Sequence, residues 1–297
     1  MISIPKILIL AVIQGVSELL PISSSAHVIV AEKMMGLDPT QPAMTLLLVM
    51  LHTGTMFAVI VFFWNSWKTN FFASRQDLWE SLKLMGIATL ATVVVGMILK
   101  VIIEKIFLRD VAHAEIELIF GDLNLMAAAL AAAGVLILSA AYMERPSSKA
   151  TTVLGAKAAC LIGLVQGICL PFRGFSRSGA TISTGLILGI EKRKVEDFSF
   201  ALAVILTPAV IAREALRFLK GQQAIPHGTA YHGPMHHGTS LIALFLPSLI
   251  GMFLSFIAGL LALKWLSSWL EGGRWYLFGV YCLCAGVVIF FLHCQGF

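Results

Sequence analysis

The sequence predicts an all-α polytopic membrane protein built as an inverted repeat, each half one re-entrant helix pair plus three transmembrane helices. Three observations lead there. The chain of 297 residues is 58% hydrophobic and 12% charged, with a mean hydropathy of +0.89. Several apolar runs reach the roughly 20 residues that cross a bilayer as a helix. A polar stretch broken by proline, QGVSELLPISSSAH at 14–27, has a counterpart in the second half, PFRGFSRSGATIS at 171–183. Such a composition excludes a soluble domain. The net charge of +5 does not make nucleic acid a partner, because the Lys and Arg are spread over membrane-flanking loops; the partner is the bilayer itself. Five cysteines (Cys160, Cys169, Cys282, Cys284 and Cys294) lie mostly in apolar segments without metal-ligand spacing and read as small buried hydrophobes. The apolar start of the chain runs directly into the polar motif and does not read as a cleavable signal peptide.

In chain order, the first repeat covers 1–143 and opens with a re-entrant pair at 4–37. Its first arm carries Glu18 and stops at Pro21, which cannot continue a helix without losing a hydrogen bond. Neither arm is long enough to span, and an irregular tip at membrane depth is tolerated only where protein or a wet cavity surrounds it. Spans follow at 43–64, 84–105 and 122–143; the first holds His52, and the third is rich in alanine, which suits close helix approach in lipid. A polar linker at 144–155 leads to the second repeat, 156–297. This repeat has its own re-entrant pair at 156–190, a charged turn at 191–197, and spans at 198–217, 241–264 and 274–294. The intervening 221–240 loop holds His227, His232, His236 and His237; Gly and Pro interrupt their spacing, so it reads as an exposed loop rather than a metal site.

An offset of 153 aligns Ser23 with Ser176, Ser25 with Ser178, Ile29 with Ile182 and Gly36 with Gly189. A re-entrant pair makes no net crossing and three spans make one, so the second half starts on the opposite face. The two polar tips then meet near the midplane, as in inverted-repeat transporters. Lys and Arg number eleven on the side of Lys68, Arg145 and Lys192, and six on the side of Lys6, Lys33 and Lys105. The positive-inside rule puts the first side in the cytoplasm and both termini outside.

The two motifs carry the chemistry. Gln14 and Glu18 are four apart and share a helix face. An ionisable group at that depth is functional by default, although Glu18 could be kept only to pair with Arg177. One carboxylate and one amide hold a hard divalent cation only when substrate oxygens and waters complete its shell. Ser23, Ser24 and Ser25 offer hydroxyls and N–H groups at a helix N-terminus, a natural anion site. Arg177, between two serines and a glycine, suits bidentate phosphate binding; Arg173 is either a second phosphate ligand or a snorkelling residue. Gly174, Ser176, Ser178, Gly179 and Thr181 complete the second phosphate-binding stretch. His27, three residues after Ser24, could act as base, acid or nucleophile. Ser24 as attacker with His27 as its base is the reading adopted, against attack by His27 itself or by a metal-activated water. Together the inventory is that of metal-assisted phosphoryl transfer.

These residues resemble the motifs of the bacterial undecaprenyl-diphosphate phosphatases of the bacitracin-resistance type. The first motif is matched by Gln14, Glu18, Pro21, Ser23, Ser24 and His27, the second by Gly174, Ser176, Arg177, Ser178, Gly179, Ala180 and Thr181, and the likeness covers essentially the whole chain. The resemblance implies removal of one phosphate from undecaprenyl diphosphate, which recycles the lipid carrier for peptidoglycan and cell-wall synthesis. It implies a divalent cation, Mg²⁺ or Ca²⁺, with metal and diphosphate near Glu18 and Gln14, the clamp at Arg177, and catalysis by Ser24 or His27. It also implies a bacterial inner-membrane location with the site open to the periplasm. A homo-oligomer is compatible with it. Three departures stand out: Gln14 takes the amide option, Arg173 replaces a proline before Gly174, and Cys282 follows Tyr281 where an arginine is expected. The competing reading is an inverted-repeat transporter or flippase for an anionic lipid or solute, which would release no phosphate. A lipid phosphatase of the acid-phosphatase superfamily would need a second histidine soon after Arg177, and none occurs before His227.

Overall fold

A computed structural model describes residues 3–38, 42–107, 116–143, 153–223 and 241–297, and every regular element in them is helical. Helix α1 (Ile4–Leu19) has Pro5 in its first turn and ends where Leu20, the residue before Pro21, turns to extended backbone with φ −73° and ψ 152°. That is the conformation a following proline imposes. Helix α2 (Ser24–Met34) returns alongside it. At 1.5 Å per residue the two are about 24 and 16 Å long, too short for a hydrocarbon core of about 30 Å. Lys6 Nζ donates to Met35 O (2.7 Å) and Lys33 Nζ to Phe297 O (3.4 Å), so the start of α1, the end of α2 and the end of the chain share one end of the bundle.

Helices α3 (Pro42–Asn70), α4 (Arg75–Ile102, continued by a π turn at Ile103–Phe107) and α5 (Leu123–Met143) follow, the last preceded by a 3-10 turn at Ile116–Gly121. A second short pair, α6 (Ala156–Cys169) and α7 (Arg177–Ile187), leads to α8 (Lys192–Gln223), α9 (Leu241–Glu271) and α10 (Tyr276–Cys294). Among the described residues five helices are long and apolar enough to cross a membrane: Met44–Asn70, Arg75–Ile106, Leu123–Met143, Phe245–Glu271 and Tyr276–Cys294. The chain is therefore a multi-pass helical membrane protein. The sixth expected span, 198–217, lies within α8. The linker over 144–152 and the histidines of the 224–240 stretch lie outside the described residues.

Several helices overrun their expected limits, because the length rule counts the hydrocarbon crossing and not the helix. Helix α4 starts at Arg75, where Ser74 Oγ accepts from Asp77 N–H (3.1 Å), nine residues before the apolar run. Of the charged stretch at 191–197, all but Glu191 forms the first turn and a half of α8 rather than a turn, since Lys, Arg and Glu are good helix formers.

Helix α9 packs on α3 and α1, α4 on α6, α5 on α10, and α3 on α8. In lipid this association relies on close fit and hydrogen bonds rather than on excluding water. A Cβ at Gly54 would stand 2.2 Å from Met252 O, so α3 and α9 touch backbone to backbone there. Ser255 Oγ donates to Leu51 O (3.0 Å) across the same seam. At the end of the bundle away from Lys6, Ser66 Oγ and Asn70 Nδ2 donate to Asp197 Oδ2 (2.6 and 2.8 Å), and Lys194 Nζ donates to Asn70 Oδ1 (2.9 Å). These bonds tie the end of α3 to the start of α8. The short pair α6–α7 is wedged between α4, α5 and α8, and its broken tip meets that of α1–α2 inside the bundle.

Candidate active site

Each tip is an unwound segment followed by a helix N-terminus. In the first, Ser23 precedes α2 with φ +68° and its side chain caps nothing. In the second, Ser176 caps α7 by accepting from Gly179 N–H (3.2 Å), and Arg177 is the first residue of the helix. The tips are in contact: Ser178 Oγ donates to Leu20 O (3.3 Å), and a Cβ at Gly179 would lie 3.2 Å from Pro21 Cβ.

Glu18 lies at the junction. Its Oε2 accepts from Ser24 Oγ (2.5 Å) and from Gln14 Nε2 (3.2 Å), and its Oε1 faces Arg177 Nη2 at 3.4 Å. The side chains of Glu18 and Arg177 are 18% and 22% exposed, so this loose pair is reachable and an anion can come between them. Arg177 at the positive end of a helix dipole is placed against the dipole, a cost that a bound anion offsets. These groups border a cavity of about 230 Å³ with two kinds of wall. One is polar (Ser17, Ser23, Ser24, Ser25, Ser176, Ser178), and the other is apolar, with Leu170, Phe172, Phe175 and Leu206. That volume suits an anionic head with the first atoms of an apolar tail, the rest lying outside.

Gln14, Glu18, Ser23, Ser24, Ser25, Arg173, Ser176, Arg177 and Ser178 are thus brought together as expected. Arg173 lines the cavity with its guanidinium 4.4 Å from the centre of the Phe120 ring, a stacked cation more than a snorkelling one. Four expected residues stand elsewhere. Thr181 is fully buried with its hydroxyl 2.5 Å from Ser199 Oγ. Gly179 packs on Pro21 and Ile137. Gly174 has φ +109°, and a Cβ there would stand 2.4 Å from Met126 O. His27, expected beside Ser24 as a base, turns to the other side of α2: Nδ1 is 2.7 Å from Ser23 O and Nε2 is 2.7 Å from Tyr281 OH. The hydroxyl partner of Ser24 is Glu18 instead.

Gly174 makes the second tip a stability test. Gly174→Ala combines a left-handed backbone with a clash against the main chain of α5, and is expected to cost at least about 2 kcal/mol. Thermal unfolding in detergent at the wild-type temperature would show that the turn yields.

His52 is the residue that sequence reasoning passed over. Its Nδ1 is 2.9 Å from Leu48 O, so that nitrogen carries the proton, and its Nε2 faces Glu18 Oε2 at 3.9 Å from within the cavity wall. The available signal was a titratable group inside an apolar span. No group of three or more His, Cys, Asp or Glu able to hold a metal ion occurs among the described residues. The donors present are one carboxylate, one amide, the His52 imidazole and hydroxyls. They fit a hard cation that brings most of its shell with the substrate's phosphate oxygens.

The profile of the family described as "Bacitracin resistance protein BacA" matches residues 7–288. The chain is 55% identical to "Undecaprenyl-diphosphatase 2" of Acinetobacter baylyi, over 95% of this chain and 96% of that one. It is 29% identical to the "Undecaprenyl-diphosphatase" of Bacteroides fragilis over 95% of each chain. It is 33% identical to "Undecaprenyl-diphosphatase 2" of Burkholderia orbicola over 96% of each.

Proposed function

The chain belongs to the BacA family of bacitracin resistance proteins, and from that membership we infer that it is an undecaprenyl-diphosphatase, hydrolysing undecaprenyl diphosphate to undecaprenyl phosphate and phosphate. The transporter reading gains no support, since the relatives are phosphatases by name. Of the geometry, one contact carries the reading furthest: a serine hydroxyl 2.5 Å from a carboxylate that also faces an arginine, inside an amphipathic cavity.

Arg177, Arg173 and the N-terminal turns of α2 and α7 bind the diphosphate, with the hydroxyls of Ser23, Ser25, Ser176 and Ser178 donating to its oxygens. Ser24 Oγ attacks the terminal phosphorus and passes its proton to Glu18 Oε2, while the bond from that phosphorus to the bridging oxygen breaks. The leaving polyprenyl phosphate departs as an anion or takes up the proton that Glu18 gained. Water then cleaves the phosphoserine, releasing phosphate and restoring the hydroxyl. His52 stands behind Glu18, its Nε2 3.9 Å from Glu18 Oε2. A divalent cation, Mg²⁺ or Ca²⁺, would be held by Glu18 and Gln14 with substrate oxygens and would offset the charge of the diphosphate.

The architecture belongs to the same proposal. In an inverted repeat α1 to α5 correspond to α6 to α10. The packing supports this: α1 on α9 is answered by α6 on α4, while α3 with α8 and α5 with α10 pair counterparts directly. Lys6 and Lys33 gather at one end of the bundle, and Lys194 lies with Asn70 at the other, which agrees with the charge division in the sequence. On that division the protein sits in the bacterial inner membrane with its termini outside and the cavity open to the periplasm.

The purified protein is expected to release phosphate from a C55 diphosphate, and a chelator is expected to suppress that release until Mg²⁺ or Ca²⁺ is restored. Binding without phosphate release would return the transporter reading. The clamp has its own test. A lysine ammonium cannot reproduce the two parallel hydrogen bonds of a guanidinium, so Arg177→Lys should lose at least about tenfold in kcat/KM, or ~1.4 kcal/mol. Wild-type kinetics in that variant would reduce Arg177 to a counter-charge for Glu18.

A further inference from the structure

Helix α10 contributes to neither motif, yet it holds the first tip at two adjacent residues. Cys282 Sγ donates to Pro21 O (3.3 Å). The ring of Tyr281 stacks on that of His27, with centroids 5.7 Å apart and planes 17° from parallel, and its hydroxyl lies 2.7 Å from His27 Nε2. The other ring nitrogen settles the direction of these bonds. His27 Nδ1 is 2.7 Å from Ser23 O, and a carbonyl oxygen only accepts, so Nδ1 carries the proton. In the neutral ring Nε2 is then the acceptor and the Tyr281 hydroxyl donates to it.

The carbonyl that His27 grips belongs to a strained residue. Ser23 is the non-glycine residue with positive φ among the described residues, at +68°. Such a conformation persists only where its surroundings impose it. The next residue is Ser24, whose Oγ lies 2.5 Å from Glu18 Oε2. A chain of contacts therefore runs from α10 to the attacking hydroxyl: Tyr281 OH to His27, His27 to Ser23 O, and the Ser23 turn to Ser24.

We propose that Tyr281 is a positioning residue, which locks His27 in its Nδ1–H form and through it the Ser23 turn that sets Ser24 on Glu18. The proposal rests on Ser24 being the attacking group. In it His27 acts on the backbone rather than on phosphorus, and its two nitrogens do different work. Nδ1 holds the turn, and Nε2 receives the hydrogen bond that keeps the proton on Nδ1. That asymmetry separates it from a base or nucleophile, which needs a ring nitrogen free at the phosphate.

The test uses the full chain in lipid nanodiscs with ¹⁵N-labelled histidine, the His27 signals being identified by their loss in His27→Asn. Wild type should show His27 as the Nδ1–H tautomer; Tyr281→Phe, which keeps the stacked ring and loses the donor, should show the Nε2–H tautomer gaining population. In turnover of a C55 diphosphate, Tyr281→Phe should lose about tenfold or more in kcat with KM within about twofold of wild type. His27→Asn keeps a donor at the place of Nδ1 and His27→Gln one at the place of Nε2, so the asparagine variant should retain the larger kcat. A merely structural tyrosine would lower stability and move neither the tautomer nor this order. Tyr281→Leu, which loses ring and hydroxyl together, separates the two through its melting temperature. An Nε2–H tautomer in wild type, an unchanged kcat in Tyr281→Phe, or a glutamine variant more active than the asparagine one would overturn the proposal. The tautomer is read without turnover. A locked Nδ1–H form in a protein that releases no phosphate would therefore sink the functional reading and leave the lock standing.

Discussion

Ser24→Ala should abolish phosphate release, with a fall in kcat of at least about 10³-fold, or ~4 kcal/mol of transition-state stabilisation. The substitution removes one oxygen from the first turn of α2 and disturbs little else. Glu18 keeps Gln14 and Arg177 as partners, and the cavity keeps its remaining serines. Substrate binding should survive, because Arg177 and the helix termini supply it. The neighbours provide the comparison. Ser23 and Ser25 lie 3.3 Å apart, hydroxyl to hydroxyl, and line the same wall without touching the carboxylate. Ser25→Ala should cost about tenfold, the loss of one phosphate hydrogen bond. Equal losses at Ser24 and Ser25 would mean that Ser24 only binds.

Glu18→Gln should be as severe for a different reason, again at least about 10³-fold in kcat. The amide fills the same volume and still hydrogen bonds with Ser24 and Gln14, so the fold should persist. What it lacks is the charge that faces Arg177 at 3.4 Å and, with it, the two roles proposed for Glu18, taking the Ser24 proton and holding a divalent cation. The signature is a split between binding and turnover. Measured without a divalent cation, the cavity that lacks the carboxylate is more positive, so a non-hydrolysable diphosphate should bind there at least as tightly as to wild type, while turnover with the cation present is lost. Weakened binding together with near-normal kcat would place Glu18 outside the proton path and make it a substrate contact.

What the sequence made legible follows from how local each feature is. The two tips could be read because their causes lie within a few residues: Pro21 stops α1, Ser176 caps α7, and Glu18, Ser24 and Arg177 are rare polar groups in apolar surroundings. Their meeting could be read from topology, since opposed re-entrant pairs have only the middle of the bundle to occupy. The partner of His27 could not. Tyr281 is 254 residues away, and a spacing of three between Ser24 and His27 suggested that the two act together, whereas the structure sets Ser24 against Glu18 of α1 and His27 against Tyr281 of α10. His52 escaped for the same reason: it reaches Glu18 from α3, and nothing in the local pattern of an apolar span points across the bundle. Thr181 and Gly174 fall in a phosphate-binding motif but serve the fold, one bonded to Ser199 and the other pressed on Met126. A motif marks a segment; which of its residues face the cavity depends on the helix rotation that α5 and α8 impose on α7.

Trapping the covalent intermediate tests most directly whether Ser24 is the group that attacks phosphorus. The enzyme is mixed with C55 diphosphate carrying a labelled terminal phosphate, quenched in acid within the first turnover, digested and mapped. The expected result is an acid-stable phosphoserine at Ser24, absent from Ser24→Ala and present at full yield in a variant slowed only in its hydrolysis. A phosphohistidine at His27, recovered under alkaline quench and lost in acid, would contradict it.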